Sequence, residues 1–199
     1  MSARDVTAPF DPAAVSSLAQ EIAEHVGPLD GVPPAHLHLW LPDLTAPPAW
    51  TVAAVDGATV TRLLLRRVNS GTHWDGCEVL NLYRVPGAVP ESLVLDNADR
   101  ILRDSAATDI RSSQLEVAPR YGVIATRACG VLHSGDRVVR SQFHNYVVNT
   151  NAGGALIEQA IVIGAEMLSA LESEVNELTE NLYRSLLTSI DRAPHRGQA

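Results

Sequence analysis

The residues able to do chemistry in this chain are a few histidines, two cysteines, a set of arginines and scattered carboxylates, and the first of them stand in HLHLW, residues 36–40. Read as a β-strand, this stretch points His36 and His38 to one face about 7 Å apart, which would be half of a metal site. A zinc site needs three or four converging ligands. His144 is the other histidine in a segment of clear strand character; His25, His73, His133 and His195 fall at a helix end, in loops and in the C-terminal tail. Neither H-E-x-x-H nor C-x-x-C spacing is present. The reading is therefore no metal site, with the pair as a polar stripe on an ordinary strand.

Nucleophilic catalysis has one candidate, Cys77 beside His73 and Asp75, but three alternate positions at a strand entrance do not orient a base on a thiol. No G-x-S-x-G elbow accompanies the serines, so no catalytic residue is assigned. A polar group for small-molecule binding is the better candidate. If NTNAGG closes a hairpin, His144 falls opposite Glu158 or Gln159 and shares a face with Tyr146, so that His144, Tyr146 and Glu158 would form a pocket in which Glu158 raises the imidazole pKa. The competing reading, a solvent-facing or helix-covered polar stripe, is favoured because no second catalytic element points there. Arg62 and Arg66 share one strand face, and Arg67, Arg84, Arg127 and Arg140 stand on other faces and strands. Clustered guanidinium groups recognise carboxylate or phosphate, while scattered ones pair within the molecule.

All 15 basic residues are arginine, which excludes a Schiff-base lysine, a Walker-A lysine and a kinase-type lysine. A net charge of −8 argues against a nucleic-acid or anionic-membrane binder, because phosphate contacts need a concentrated positive field. The apolar runs are too short and too interrupted for membrane insertion. The N-terminus shows no basic segment leading into an apolar one and no lipobox cysteine, so a cytoplasmic location is expected. Cys77 and Cys129 are read as free thiols rather than a bridge. With 199 residues, 46% of them hydrophobic, the chain can bury one core without staples.

The elements that must position these groups follow from periodicity. Residues 1–10 and 191–199 read as flexible tails around a single domain at 11–190. FDPAAVSSLAQEIAEHVG predicts a helix, with Asp11 as N-cap, Pro12 at its first position and Val15, Leu18, Ile22 and Val26 on one face. Four extended segments follow, HLHLWL, WTVAAVD, TVTRLLLRRV and CEVLNLYRV, and their short connections favour antiparallel neighbours. VPESLVLDNADRILRDSA predicts a second helix, opened by Pro90 and Glu91. A β-meander comes next, through SSQLEVAPRYGVIATRACGVL, RVVRSQFHNYVV and GALIEQAIVI. The chain closes on a long helix whose Leu168, Leu171, Val175, Leu178 and Leu182 repeat at three-four spacing. That stripe suits a partner-binding coiled coil or packing on the sheet; the second is favoured because an amphipathic helix must bury its stripe. The fold class is α+β, a central antiparallel sheet flanked by helices, with an N-terminal helix and a long C-terminal one.

The segment YGVIATRACGVLHSGDRVVRSQFHNYVVNTNAGGALIEQAIV resembles the LpqN/LpqT-type family of mycobacterial lipoproteins and their relatives, on Gly130, Gly135, Arg137, Arg140, Val147 and Val148. LWLPDLTAPPAW resembles the family's P-x-x-W element, with Trp50 as the match. The resemblance, over residues 36–187, implies a PsbP-like α/β/α sandwich and a binding or accessory role without cofactor. No signal peptide or lipidated cysteine of the family's kind is read in the sequence, so the envelope role of those relatives is not expected here.

The expected function is thus a non-enzymatic protein-binding or accessory module acting through the sheet edge, the strands bearing Arg62 and Arg66, or the C-terminal helix. The alternatives are a small-molecule-binding protein or minor enzyme around His144, and a subunit self-associating through Leu171, Val175 and Leu178.

Overall fold

The computed structural model describes residues 17–53, 60–67, 74–134, 137–150 and 153–192. Asp11, Pro12, Val15, His73, Gly135 and the tips of both expected hairpins lie outside these residues. Helix α1, Leu18–Val26, is capped by Ser17, whose hydroxyl accepts from the Gln20 N–H at 3.2 Å. Leu18, Ala19 and Ile22 form its buried face, and Gly27 at φ 102° ends it.

The HLHLW stretch is not a strand. Pro33 and Pro34 preset φ and remove two N–H donors, and the chain turns through a 3-10 segment, Pro34–His36, into the one-turn helix α2, Leu37–Trp40. Leu37 and Leu41, four apart, reach the core, while Leu39 between them is 67% exposed. Of the alternating leucines, Leu37 and Leu41 share one face of a helical turn and Leu39 points away, and His36 and His38 both stand in solvent. No group of three metal-ligating side chains forms among the described residues.

The sheet contains β1 (Asp30–Gly31), β2 (Trp50–Val52), β3 (Arg62–Arg66), β4 (Gly76–Val85), β5 (Thr108–Gln114), β6 (Val123–Ser134), β7 (Arg137–Thr150) and β8 (Gly153–Gly164). Its order is β2-β3-β4-β8-β7-β6-β5, with β1 also paired to β4, and every pairing is antiparallel. The β8 strand thus inserts between β4 and β7, bringing the two halves of the chain into one sheet. Glycines permit the tight return into β8: Gly153 has φ 117°, and a Cβ on Gly154 would collide with the Val148 carbonyl.

The single helix expected at 89–106 is two, α3 (Glu91–Asp96) and α4 (Arg100–Asp104). Asn97 separates them, its side-chain amide donating to the Leu93 carbonyl at 2.9 Å. Helices α1, α3 and α4 cover one sheet face around Ile22, Val94, Leu102, Val147 and Leu156. Helix α5, Leu168–Arg192, crosses the other face. There Leu171 and Leu178 pack on Trp50, Leu64 and Ile161, and Leu182 and Leu186 on Leu80, Tyr146 and Ile157. The α5 stripe is accordingly spent inside the molecule: Leu171 and Leu178 are buried and Val175 packs beside them, which removes these three as a self-association seam. The result is an α/β sandwich with helices on both faces. Cys77 and Cys129 are free thiols on opposite faces, with β8 and β7 between their strands.

Candidate functional site

Period-two alternation sends neighbouring residues of a strand to opposite faces, and the register decides which side chains meet. His144 pairs with Gln159 across β7 and β8, whereas Glu158 pairs with Asn145. The backbone therefore separates Glu158 from His144 and Tyr146, and the expected three-residue pocket does not assemble. His144 and Tyr146 lie beneath α5, where the Tyr146 ring stacks at 6.3 Å on Tyr183. Glu158 lies beneath α1.

Under α5 a row of polar side chains crosses the sheet, and its hydrogen-bond directions follow from its ends. Arg62 on β3 can only donate, and its Nη2 lies 2.9 and 2.8 Å from the two oxygens of Glu78, which is fully buried. Glu78 can only accept, so Gln159 presents its Nε2 to it, at 2.7 Å. That leaves the Gln159 carbonyl for His144. From the other end, Arg127 donates to Gln142 Oε1 at 2.7 Å, so the Gln142 amide nitrogen faces His144 Nε2 at 3.1 Å. His144 Nε2 must then accept, and the ring proton belongs on Nδ1. Nδ1 and Gln159 Oε1, both buried without a partner that meets hydrogen-bond geometry, belong to directly paired residues.

Both ends of the row thus impose the same neutral tautomer. His144 is 2% exposed, and its pKa is pushed down to about 4, first by burial and then by the charge of Arg127, against the opposing Gln159 contact. Protonation at Nε2 would set an N–H against an amide N–H. The imidazole has no free lone pair with which to act as a base, so this row specifies structure.

The expected interaction arginines are also engaged. Arg62 is buried on Glu78, and Arg66 holds Glu174 of α5 through Nε at 2.7 Å and Nη2 at 3.0 Å. Trp50 Nε1 donates to the same carboxylate at 2.7 Å. The Arg66 pair lifts the guanidinium above its ordinary pKa and holds Glu174 below the usual carboxylate range. These groups fasten the outer strands to α5. Cys77 faces the opposite helices, and burial followed by the nearby charge of Glu78 pushes its thiol up to about 11, the reverse of an activated nucleophile.

Beyond the Arg127 end, the row opens into a cleft of about 410 Å3 between the first turns of α5 and strands β6–β8. Its apolar side is Ile161, Ile163, Leu168 and Val175. Arg127 and Arg140 stand over this floor, exposed. Neither makes an ion pair among the described residues: Arg127 bonds Gln142, and Arg140 Nη2 lies 4.0 Å from Cys129 Sγ. Glu172 lines the cleft as well, outside ion-pair distance of both. A smaller groove beside it shares Arg140 and adds Arg111 and Asp109. Two guanidinium groups above an aliphatic floor can hold a carboxylate or phosphate whose body is apolar.

Gln142 and Glu78 were not singled out in the sequence, and Gln159 was named only as the alternative to Glu158 opposite His144. The signal that could have found them is a polar residue at a core-facing position on successive strands.

Among solved structures, the chain is similar to LpqN, described as involved in cell envelope biogenesis of Mycobacterium tuberculosis. Identity is 14% over 83% of this chain and 95% of that one, with a TM-score of 0.61, a likeness of fold. A STAR-related lipid transfer protein from Xanthomonas axonopodis matches at 12% identity over 72% of this chain and 99% of its own, TM-score 0.25. Human STARD10 matches at 8% over 76% and 80%, TM-score 0.26. Neither of these two carries weight. No family model matches the chain, and no curated protein matches it.

Proposed function

We propose that the protein is a non-enzymatic accessory module that binds an anionic amphiphile, a carboxylate or phosphate on an apolar body, in the cleft beneath the start of α5. The observation that carries this reading is the pair Arg127 and Arg140, unmatched by any ion pair among the described residues, above Ile161, Ile163, Leu168 and Val175. In a chain of net charge −8, two unpaired cations over one apolar cleft are a local reversal of the overall field. The cleft volume is that of an ordinary small-molecule site. Fold likeness to LpqN supports an accessory role connected with the cell envelope. Helix layers on both sheet faces support the finer PsbP-like assignment.

Calorimetric titration of the full chain with decanoate, decyl phosphate and the neutral octyl glucoside tests it. The anions are expected to bind and the glucoside to bind much more weakly. Arg127→Gln and Arg140→Gln are each expected to weaken anion binding about tenfold, the loss of one charge-assisted hydrogen bond. Equal affinities for anions and glucoside, or unaffected variants, would exclude the reading.

A second reading, a protein partner, is favoured by Val52, which is 77% exposed on β2, the outermost strand at one end of the sheet. Such an edge can accept an added strand. Affinity capture from native extract with wild type and Val52→Asp tests it, a partner lost only in the variant being the expected result.

A further inference from the structure

On the sheet face away from α5, three polar residues stand in one cross-strand row. Asn81 on β4 pairs with Glu158 on β8, and Glu158 pairs with Asn145 on β7. Above them, α1 and the α3–α4 junction leave a cavity of about 240 Å3, to which Val79, Ile101, Phe143 and Ala160 contribute apolar walls. This cavity is separated from the Arg127 cleft by the whole sheet.

Two of its acceptors are short of donors. The Glu158 carboxylate accepts one hydrogen bond, from the Ala19 N–H at 3.1 Å, and makes no ion pair among the described residues. Asn81 Oδ1 is buried without a hydrogen-bond partner. The Asn145 amide is directed away, to Thr126 Oγ1 at 3.4 Å. No charged side chain of the covering helices lines the cavity, and the two arginines of α4 are engaged elsewhere: Arg100 holds Glu21 at 3.1 Å and Asp104 at 3.6 Å, and Arg103 holds Asp99 at 2.9 Å. Among the described residues Tyr83 is the one other titratable group on the wall, and its hydroxyl is pushed up to about 12 by burial and then by the charge of Glu158. A carboxylate with a single donor and a carbonyl with none, in partly apolar surroundings, are costly, and burial, against the Ala19 N–H, lifts Glu158 to about 7. A ligand that brings N–H donors and a positive charge removes both costs. An engineered apolar cavity of about 150 Å3 already takes a benzene ring, so a ring with a short chain suits this volume.

We infer that the cavity between α1 and the sheet is a second binding site, for a small primary ammonium with an apolar body, whose N–H groups go to the Glu158 carboxylate and Asn81 Oδ1. The Phe143 and Tyr83 rings supply the apolar and cation-facing walls.

Titration of the full chain with phenethylammonium, the neutral 2-phenylethanol and the anionic hydrocinnamate, followed by calorimetry and by NMR of Ala19, tests this. Phenethylammonium is expected to bind roughly tenfold or more tightly than 2-phenylethanol, as one charge-assisted hydrogen bond warrants, and hydrocinnamate not at all. Its affinity is expected to fall up to about tenfold per unit as pH drops below about 7, because Glu158 takes up a proton while the amine stays charged. Glu158→Gln is expected to reduce the amine to the level of the alcohol, and Arg127→Gln to leave it unchanged. The inference is overturned by equal affinities for amine and alcohol, by no saturable binding of either, or by an amine preference that survives Glu158→Gln. Loss of amine binding in Arg127→Gln also overturns it, by placing the amine in the other cleft. Should Glu158→Gln not fold, the pH profile of the wild type decides.

Discussion

His144 and Glu158 are each held away from their ordinary protonation, and their effects on stability have opposite signs. His144 titrates at about 6.5 when unfolded and about 4 when folded. Between those values the unfolded chain carries a proton that the folded chain refuses, so acidification through this window removes about 3 kcal/mol. Glu158 goes from 4.5 unfolded to about 7 folded. Here the folded chain holds the proton, so acidification from about 7 to 4.5 adds about 3 kcal/mol of the same order. The two nearly cancel between pH 4.5 and 6.5. Glu158→Gln is therefore expected to exceed wild type in urea midpoint at neutral pH, then lose that lead and show the steep acid loss of His144 alone. A wild-type-like acid profile in this variant would contradict the assignment. The Arg62–Glu78 pair behaves as a buried ion pair should: Arg62→Met is expected to cost about 3–5 kcal/mol by stranding the carboxylate, and Arg62→Met with Glu78→Met to recover most of it, as measured by chemical denaturation. Of the candidate site, His144 and Tyr146 were legible as face-sharing residues from period-two spacing. Their partner was not, because choosing Gln159 over Glu158 takes a one-residue register, and one residue exchanges the faces of the sheet.

At the scale of elements, α5 is the tie across one face. Its Leu178 is fully buried between Leu64 and Ile161, so Leu178→Ala is expected to cost about 2–5 kcal/mol through the cavity it leaves. Ser17→Ala, which deletes the cap of α1, is expected to cost about 1 kcal/mol, both read from denaturation midpoints. The stripe of α5, the meander and the antiparallel pairing of β2, β3 and β4 were all readable, because long elements repeat their pattern enough times to declare their period. Short elements do not. HLHLWL fits period two and one turn of helix equally, and only Pro33 and Pro34 ahead of it and the core contact of Leu37 and Leu41 decide for the turn. The interruption of α3 and α4 at Asn97 is likewise local, since one side-chain amide competes for the Leu93 carbonyl.

At the scale of the whole molecule, a strongly acidic protein presents, among the described residues, a basic cleft on one face and a carboxylate without an ion pair in a cavity on the other. The net charge of −8 opposes the arrival of an anion, and the local field of Arg127 and Arg140 favours it. Binding of decyl phosphate is thus expected to weaken as salt rises from about 0.05 to about 0.5 M, because these guanidinium groups are exposed and their field is screened; a salt-independent affinity would place the ligand elsewhere. Composition, hydrophobic period and turn residues by themselves determined the class of this protein: an antiparallel sheet, an N-terminal helix, and a long C-terminal helix that buries its own stripe. Those are sums over many residues, and burial of apolar surface depends on the sum. Only the tertiary structure decided that β8 runs between β4 and β7, that Glu158 and His144 face apart, and that Arg62 is buried while Arg127 and Arg140 are left open. These outcomes rest on register and crossing position, where a shift of one residue changes every contact and no local pattern in the chain records it.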